Sequence, residues 1–505
     1  MKKRILSLAL TLALTVSALS VSAAGAVRFG DVPDGSWAEE SIARAVEAGI
    51  LSGYDSARFG YGHRMSRAAF ATALVRLFGW TEVRPAAPTF SDVKDTAAWY
   101  YGSVEAAYAH GAITLQSERF RPGDPITREE MAVMIVRALD YEALAGLVQQ
   151  LPSPFTDLTT NSGYIAVAYN LGLVNGTSPT TFSPSQKATR EQAAVLLMRV
   201  YDKYHLNTTF VGGLASQETK ALPVRMNAVA VEMARLEGID ATFEGDPAVR
   251  DLVRGTGAKA LMYAACGKEV VEEDTMSGMQ AVAWTLADNM ELFGYDGILL
   301  DVPGLTSAGK EKLVKLAEEI KGRMTKGKLL YVMVDAPAWN DEAPGGYDYE
   351  ALGKTADRMI LRVASYEQTE SGFPIAPLEP LEELYYALAG LQGKVPAWKT
   401  TVLLTTTGSA WKGEGDQIRP DGSRTAAQIE ELLKYGNGYH AGRYASAYAV
   451  SGTGAGQTTV WYNDEDAVSA RLQLARFFGV TSVMLSDVNS VADYSGYDVA
   501  GQLWS

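Results

Sequence analysis

Cysteine is nearly absent: Cys266 is the single one in 505 residues. An intramolecular disulfide is therefore excluded, and with it the class of small secreted modules stapled by disulfides. Set in Leu261-Met262-Tyr263-Ala264-Ala265-Cys266, it reads as a core residue. Histidine is almost as scarce. His63, His110, His205 and His440 are scattered, and no pair has metal-ligand spacing, so neither a metal nor a cofactor is expected. Positive charge is in deficit, with 45 Lys and Arg against 59 Asp and Glu and a net charge of −14. That balance argues against nucleic acid as the main partner and against adsorption to an anionic membrane. Beyond the N-terminus no stretch approaches the ~20 apolar residues that a bilayer span needs.

The one long apolar run begins at Ile5 and ends near Val21. Lys2, Lys3 and Arg4 precede it, and Ser22-Ala23-Ala24-Gly25-Ala26 follows. Basic, apolar and small-residue segments in that order make a secretory signal peptide. Residues 1–26 are expected to be removed, which leaves a secreted chain without a transmembrane anchor.

A chain of 505 residues should hold more than one domain. The first two hundred residues repeat. Phe29-Gly30-Asp31-Val32, Phe90-Ser91-Asp92-Val93 and Phe155-Thr156-Asp157-Leu158 open three copies of one pattern. Each continues through a helical stretch, a glycine turn, and Phe59-Gly60, Phe120-Arg121-Pro122 or Phe182-Ser183-Pro184. Each closes on Ser66-Arg67, Thr127-Arg128 or Thr189-Arg190, followed by an apolar helix. The arginines lie 61 and 62 residues apart. Ser66, Thr127 and Thr189 sit where helix N-caps belong, and Glu130 and Gln192 complete capping boxes. Each repeat thus reads helix–loop–helix, and three are expected to share one core.

These motifs resemble the S-layer homology (SLH) module, with repeats at 28–80, 89–141 and 154–204. The resemblance implies an all-α pseudo-trimer that binds pyruvylated secondary cell-wall polysaccharide and moors a protein to a bacterial wall or S-layer. Carried over by motif, Arg67, Arg128 and Arg190 would pair with the ketal carboxylate at helix N-termini. Asp31, Asp92 and Asp157 would bind sugar hydroxyls or orient the arginines, and Trp37 and Trp99 would cover a sugar face. Repeat three has only Asn161 and Tyr164 near the tryptophan position, and repeat one lacks the acidic residue after Arg67, so not all three grooves need be competent.

Past a boundary near 204–222, where Val211-Gly212-Gly213 reads as the nearest break, short apolar runs alternate with helical patterns. The alternation predicts an α/β, TIM-like barrel over 220–505. Seven strands are legible: 227–231, 260–264, 298–301, 329–334, 359–363, 401–405 and 482–485. The eighth has no clear place, and 458–462 reads as part of an inserted β-rich segment. The stretch Asp296-Gly297-Ile298-Leu299-Leu300-Asp301-Val302-Pro303 resembles the D-x-x-D-x-D-x-E signature of glycoside hydrolase family 18, the chitinase-like barrels. In that family the substrate's N-acetyl group attacks the anomeric carbon, the middle aspartate orients it and the glutamate protonates the leaving oxygen. Here Leu299 and Pro303 hold those two positions, and Asp296 and Asp301 are remnants.

The resemblance therefore implies a catalytically degenerate barrel that binds an N-acetylated glycan, displayed at the cell surface. One alternative is an active glycosidase on N-acetylglucosamine-containing polymer or peptidoglycan, with relocated carboxylates drawn from Asp335, Glu367 and Asp487 at strand ends. A second is a purely structural surface-layer component. Tyr263, Trp339, Tyr366 and Trp411 are candidates to line a sugar groove.

Overall fold

The computed structural model describes residues 27–115, 117–147, 153–158, 160–237, 240–273, 275–338, 345–494 and 497–504. The expected signal peptide and Trp339 lie outside the described residues.

The N-terminal unit holds helices α1 (Glu39–Glu47), α2 (Arg67–Leu77), α3 (Tyr101–Ala109), α4 (Arg128–Ala138), α5 (Glu142–Leu147), α6 (Ser162–Asn170) and α7 (Arg190–Tyr204). Three of these start as their caps dictate. Ser66 accepts from the Ala69 amide, and Thr127 and Thr189 form capping boxes with Glu130 and Gln192. The segments before these helices meet in a closed ring of backbone hydrogen bonds. Met65 N donates to Ala188 O (3.0 Å), Ala188 N to Ile126 O (2.9 Å) and Ile126 N to Met65 O (2.8 Å). Isolated β-bridges join the same segments, so an entirely helical expectation misses the pseudo-threefold centre. Around it the paired rings Phe29–Phe59, Phe90–Phe120 and Phe155–Phe182 sit 5.7, 5.6 and 5.5 Å apart. Gly60, Arg121 and Ser183, one residue beyond each second phenylalanine, all have positive φ (92°, 61° and 60°). The two non-glycine residues pay a local conformational cost there, which the aspartates described below offset.

The second unit is a closed parallel barrel. Its strands are β1 (Phe210–Ala215), β2 (Ala228–Glu237), β4 (Lys259–Cys266), β5 (Gly297–Asp301), β6 (Leu329–Asp335), β7 (Arg358–Arg362), β10 (Thr400–Leu404) and β16 (Ser482–Leu485); β3 (Asp240–Phe243) extends β2 antiparallel. β1 pairs with both β2 and β16, which closes the ring. The missing eighth strand is therefore β1, and the Val211-Gly212-Gly213 stretch expected to be a break lies inside it. The barrel starts ten residues ahead of the expected 220. Two glycines hid it: a Cβ on Gly213 would stand 2.4 Å from a Val488 methyl, so the strand needs glycine where sequence patterning looks for a loop.

Helices α8 (Pro247–Gly255), α9 (Lys268–Glu272), α10 (Met276–Leu292), α11 (Lys310–Arg323), α12 (Tyr349–Thr355) and α13 (Leu381–Leu391) fall between strands, and α15 (Glu465–Phe477) precedes β16. Two inserts decorate the barrel. A hairpin of β8 (Gln368–Glu370) and β9 (Phe373–Ile375) follows β7. After β10 comes an antiparallel sheet of β11 (Gly408–Lys412), β12 (Arg419–Arg424), β13 (Asn437–Ala441), β14 (Ser446–Ser451) and β15 (Thr458–Tyr462), with α14 (Ala426–Tyr435) between β12 and β13. The barrel interior is filled by Phe210, Leu261, Leu299, Tyr331, Ile360 and Met484 with their neighbours. No helix among the described residues is long and apolar enough to cross a membrane.

Candidate functional site

In the N-terminal unit the repeated aspartates hold turns. Asp31 accepts from the amides of Phe59 (2.8 Å), Gly60 (2.7 Å) and Tyr61 (2.9 Å). Asp92 accepts from Phe120 and Arg121 (both 2.8 Å), and Asp157 from Phe182 (2.8 Å) and Ser183 (2.7 Å). Partial burial pushes the Asp31 carboxyl up, but the three amides outweigh it and hold the group below the usual carboxylate range. These oxygens are engaged by backbone amides, so the first task the structure gives the aspartates is to hold the turns.

Each repeated arginine reaches into the following repeat. The Nε of Arg67, Arg128 and Arg190 donates to the carbonyl of Phe120 (2.8 Å), Phe182 (2.9 Å) and Phe59 (2.9 Å). Each guanidinium also lies over the ring of that phenylalanine, 4.6–4.9 Å from its centroid. Burial pushes all three below the ordinary arginine value. Trp37 and Trp99 are 63% and 61% exposed, unlike most tryptophans of a folded chain. Trp37 lines a 160 Å³ groove with Arg128 and Phe182. A 330 Å³ groove holds Arg67, Phe120 and Asn161.

At the C-terminal mouth of the barrel the remnant signature is tied down. Asp296, at the entry to β5, pairs with Arg254 (2.8 Å) and accepts from the Ala260 amide (3.0 Å), so it fastens strands at the opposite end. Leu299 is fully buried in the barrel interior. Asp301, 4% exposed, accepts from Tyr263 Oη (2.7 Å) and takes both its oxygens to Arg362 Nη2 (2.6 and 2.5 Å). Arg362 Nη1 reaches Asp335 (2.7 Å), which also accepts from Tyr347 Oη (3.0 Å) and the Gly304 amide (2.7 Å). The two aspartates hold the guanidinium above its ordinary value despite its burial. Pro303 is exposed on the loop beyond. Arg362, at the end of β7, went unread because nothing in the sequence around it marks a partner across the barrel mouth.

The other candidates separate. Asp335 is consumed by Arg362 and Tyr347. Glu367 is exposed on the loop after β7. Asp487 caps a turn by accepting from the Asn489 amide (2.8 Å). Tyr263 does line an 810 Å³ cleft, with Gln217, Glu232 and Asp246. Glu232 was not anticipated; partial burial and then the Asp487 charge push its carboxyl up. Trp411 is 5% exposed and packs with Tyr444 and Trp461 in the core of the inserted sheet, so it lines no groove. Tyr366 is half-buried, its hydroxyl donating toward Glu383 (3.0 Å) and Glu382 (3.3 Å) at the start of α13. Cys266 is buried and its thiol pushed up to about 12 by burial, so it is no nucleophile.

Three segments, 28–71, 89–132 and 154–194, match the model of the S-layer homology domain. The chain is 32% identical over 181 residues to an amylopullulanase of Thermoanaerobacterium thermosulfurigenes, covering 35% of this chain and 10% of that protein. It is 26% identical over 264 residues to S-layer protein EA1 of Bacillus anthracis, covering 52% of this chain and 30% of that protein. The match thus spans a tenth to under a third of these relatives. The C-terminal domain of a chitinase-named protein from Desulfitobacterium hafniense DCB-2 superposes with a TM-score of 0.51 and 15% identity, over 59% of this chain and 99% of that one. At that identity the likeness is one of fold.

Proposed function

Starting from a chain with three S-layer homology domains ahead of a chitinase-like barrel, placed at the bacterial cell surface, we propose that the N-terminal unit binds a pyruvylated secondary cell-wall polysaccharide. The barrel displayed beside it binds an N-acetylated glycan without cutting it. The observation that carries the second half is the occupancy of the barrel mouth. General acid catalysis needs a protonated group beside the leaving oxygen and is worth about 10²- to 10⁴-fold. Pro303 holds that position and has no proton to give. Of the two carboxylates left on the signature, Asp296 lies at the opposite end of β5 and Asp301 is paired with Arg362 and accepts from Tyr263, while Asp335 shares the same guanidinium. None is placed to shuttle a proton. The cleft beside them, bordered by Tyr263 and Glu232, remains large enough for a sugar residue.

The test is turnover by the full secreted chain on chitooligosaccharides and peptidoglycan, followed as new reducing ends, with calorimetric titration of the same oligosaccharides. Binding without turnover is expected, and Tyr263→Ala should weaken it about tenfold. Turnover that disappears in Asp301→Ala rejects the proposal. Absence of both binding and turnover leaves the barrel a structural element.

A further inference from the structure

The three grooves of the N-terminal unit carry different charge. Nine residues after each repeated arginine stands a second one: Arg76, Arg137 and Arg199, again 61 and 62 residues apart. The sequence pattern of the repeats does not call attention to them. Each reaches the turn residue that accompanies the first arginine of its groove. In the groove of Trp37, Arg128 Nη2 donates to Asn175 O (2.6 Å) and Arg199 Nη1 to Leu173 O (3.2 Å). With its amide turned to donate to Val174 O, Asn175 also accepts from Arg199 Nη2 (3.3 Å). The pseudo-threefold equivalent is Ser52. Its carbonyl accepts from Arg190 Nη2 (2.6 Å) and its hydroxyl from Arg76 Nη1 (3.5 Å). The rotation that relates these two grooves carries Trp37 onto Trp99.

The third groove breaks the pattern. There Arg137 reaches the equivalent turn residue, Thr114 Oγ1 (3.0 Å), but pairs with Glu142 (3.1 Å). Arg67 turns to Glu130 (2.7 Å), which Arg121 also grips (2.6 Å). Asn161 replaces the tryptophan and is held by Glu129 (2.9 Å). By contrast, Arg128, Arg199, Arg190 and Arg76 have no carboxylate within ion-pair distance among the described residues. The residue that decides this is the third of each helix: Glu130 faces Arg67, Gln192 faces Arg128 in the Trp37 groove, and Ala69 is its counterpart in α2.

We propose that the paired arginines Arg128/Arg199 and Arg190/Arg76, each with its exposed tryptophan, are the two sites for a carboxylate-bearing sugar, and that the Arg67/Arg137 groove is closed to it by Glu130 and Glu142. Arg128 and Arg190, partly buried without a counter-ion, gain most from an incoming carboxylate because they are already desolvated, and Arg199 and the exposed Arg76 add a second donor beside each. A guanidinium already paired gains little and would have to release its partner. This rests on the reading of the unit as a wall-polysaccharide anchor, and it makes Arg76 and Arg199 specificity-determining residues.

The experiment is calorimetric titration of the full secreted chain with a hexosamine disaccharide bearing a pyruvate ketal, and with the same disaccharide lacking it. Two equivalents of the ketal sugar are expected, with at least tenfold weaker binding of the control. Arg199→Gln and Trp37→Ala, both outside the repeat cores, should each reduce the stoichiometry to one. Arg137→Gln should leave it at two. Glu130→Gln keeps the capping geometry, frees Arg67, and should strengthen binding at the third groove. Three equivalents in the native chain, one equivalent, or a loss on Arg137→Gln overturns the assignment of grooves while leaving the anchor reading intact. No ketal-sugar binding, together with no sedimentation with purified cell walls, overturns the anchor reading itself.

Discussion

At the residue scale, the recurring theme is a carboxylate whose task is set by what surrounds it. Asp31 shows one extreme. Its three amide donors belong to a turn that adopts positive φ at Gly60. Asp31→Ala should destabilise the unit by about 1–3 kcal/mol, since three amides lose a charged acceptor. Because the folded carboxyl sits below its ordinary value, this contribution is present above the usual aspartate range and is lost as pH falls through the folded value. A denaturation series between pH 2 and 7 on the native and variant chains should show the two curves converging in acid. Glu382 shows the other extreme. It is buried, its Oε2 has no hydrogen-bond partner among the described residues, and burial pushes its carboxyl up. A raised carboxyl contributes stability below the ordinary glutamate range and loses it as pH rises through the folded value. Glu382→Gln should therefore raise the unfolding midpoint at pH 8 and change it little at pH 4; an equal shift at both would show that the carboxyl is not held protonated.

The repeated aspartates and arginines were legible in the sequence because period and motif order identify them. Their partners were not. That Arg67 pairs with Glu130 while Arg128 shares its groove with Gln192 depends on packing across repeats, about sixty residues apart. Arg362 was hidden for a related reason. Nothing local to Arg362-Val363-Ala364 says that its side chain crosses the barrel mouth to Asp301 on a strand two places away in the sheet.

At the scale of elements, strands were readable where both faces are buried by large apolar side chains, as in β5, β6 and β10. β1 was not, because Gly212 and Gly213 remove the side chains that a pattern relies on. Glycine has a second structural use in β5. A Cβ on Gly297 would stand 2.1 Å from Leu329 O, so β5 and β6 approach too closely there for any side chain. Within the Asp296-Gly297 pair, the aspartate ties β5 to β4 and the glycine admits β6. Gly297→Ala should cost about 1–3 kcal/mol by overpacking against backbone, which cannot rotate away. A chemical denaturation midpoint measures this, and a neutral result would mean that the β5–β6 register can shift.

At the scale of the molecule, the two units are joined by a short segment between α7 and β1 and by a packed interface. Tyr141 of the anchor meets Phe477 of α15 edge-on at 6.3 Å, both buried, and Lys203 Nζ donates to Phe477 O (2.6 Å). Burial pushes that ammonium below its usual value. Asn170 Nδ2 donates to Tyr385 Oη (2.7 Å), and Gln392 returns a bond to the Asn170 carbonyl (2.9 Å). Tyr141, Phe477 and Tyr385 belong to one continuous hydrophobic cluster running through both units. Flexible tethering would let a displayed barrel sample many orientations, whereas a half-buried lysine bond and packed rings hold one. The grooves of the N-terminal unit and the barrel mouth are then fixed relative to each other, so under the proposed function attachment through the first would also orient the cleft of the second. The expected consequence is a single cooperative unfolding transition for the intact chain, with fluorescence and far-ultraviolet dichroism coincident. Phe477→Ala, which empties the ring contact and leaves a cavity, should separate the anchor and barrel into two transitions. Two transitions in the native chain would mean that the interface contributes too little to couple the units, and the barrel would then face outward by tethering alone.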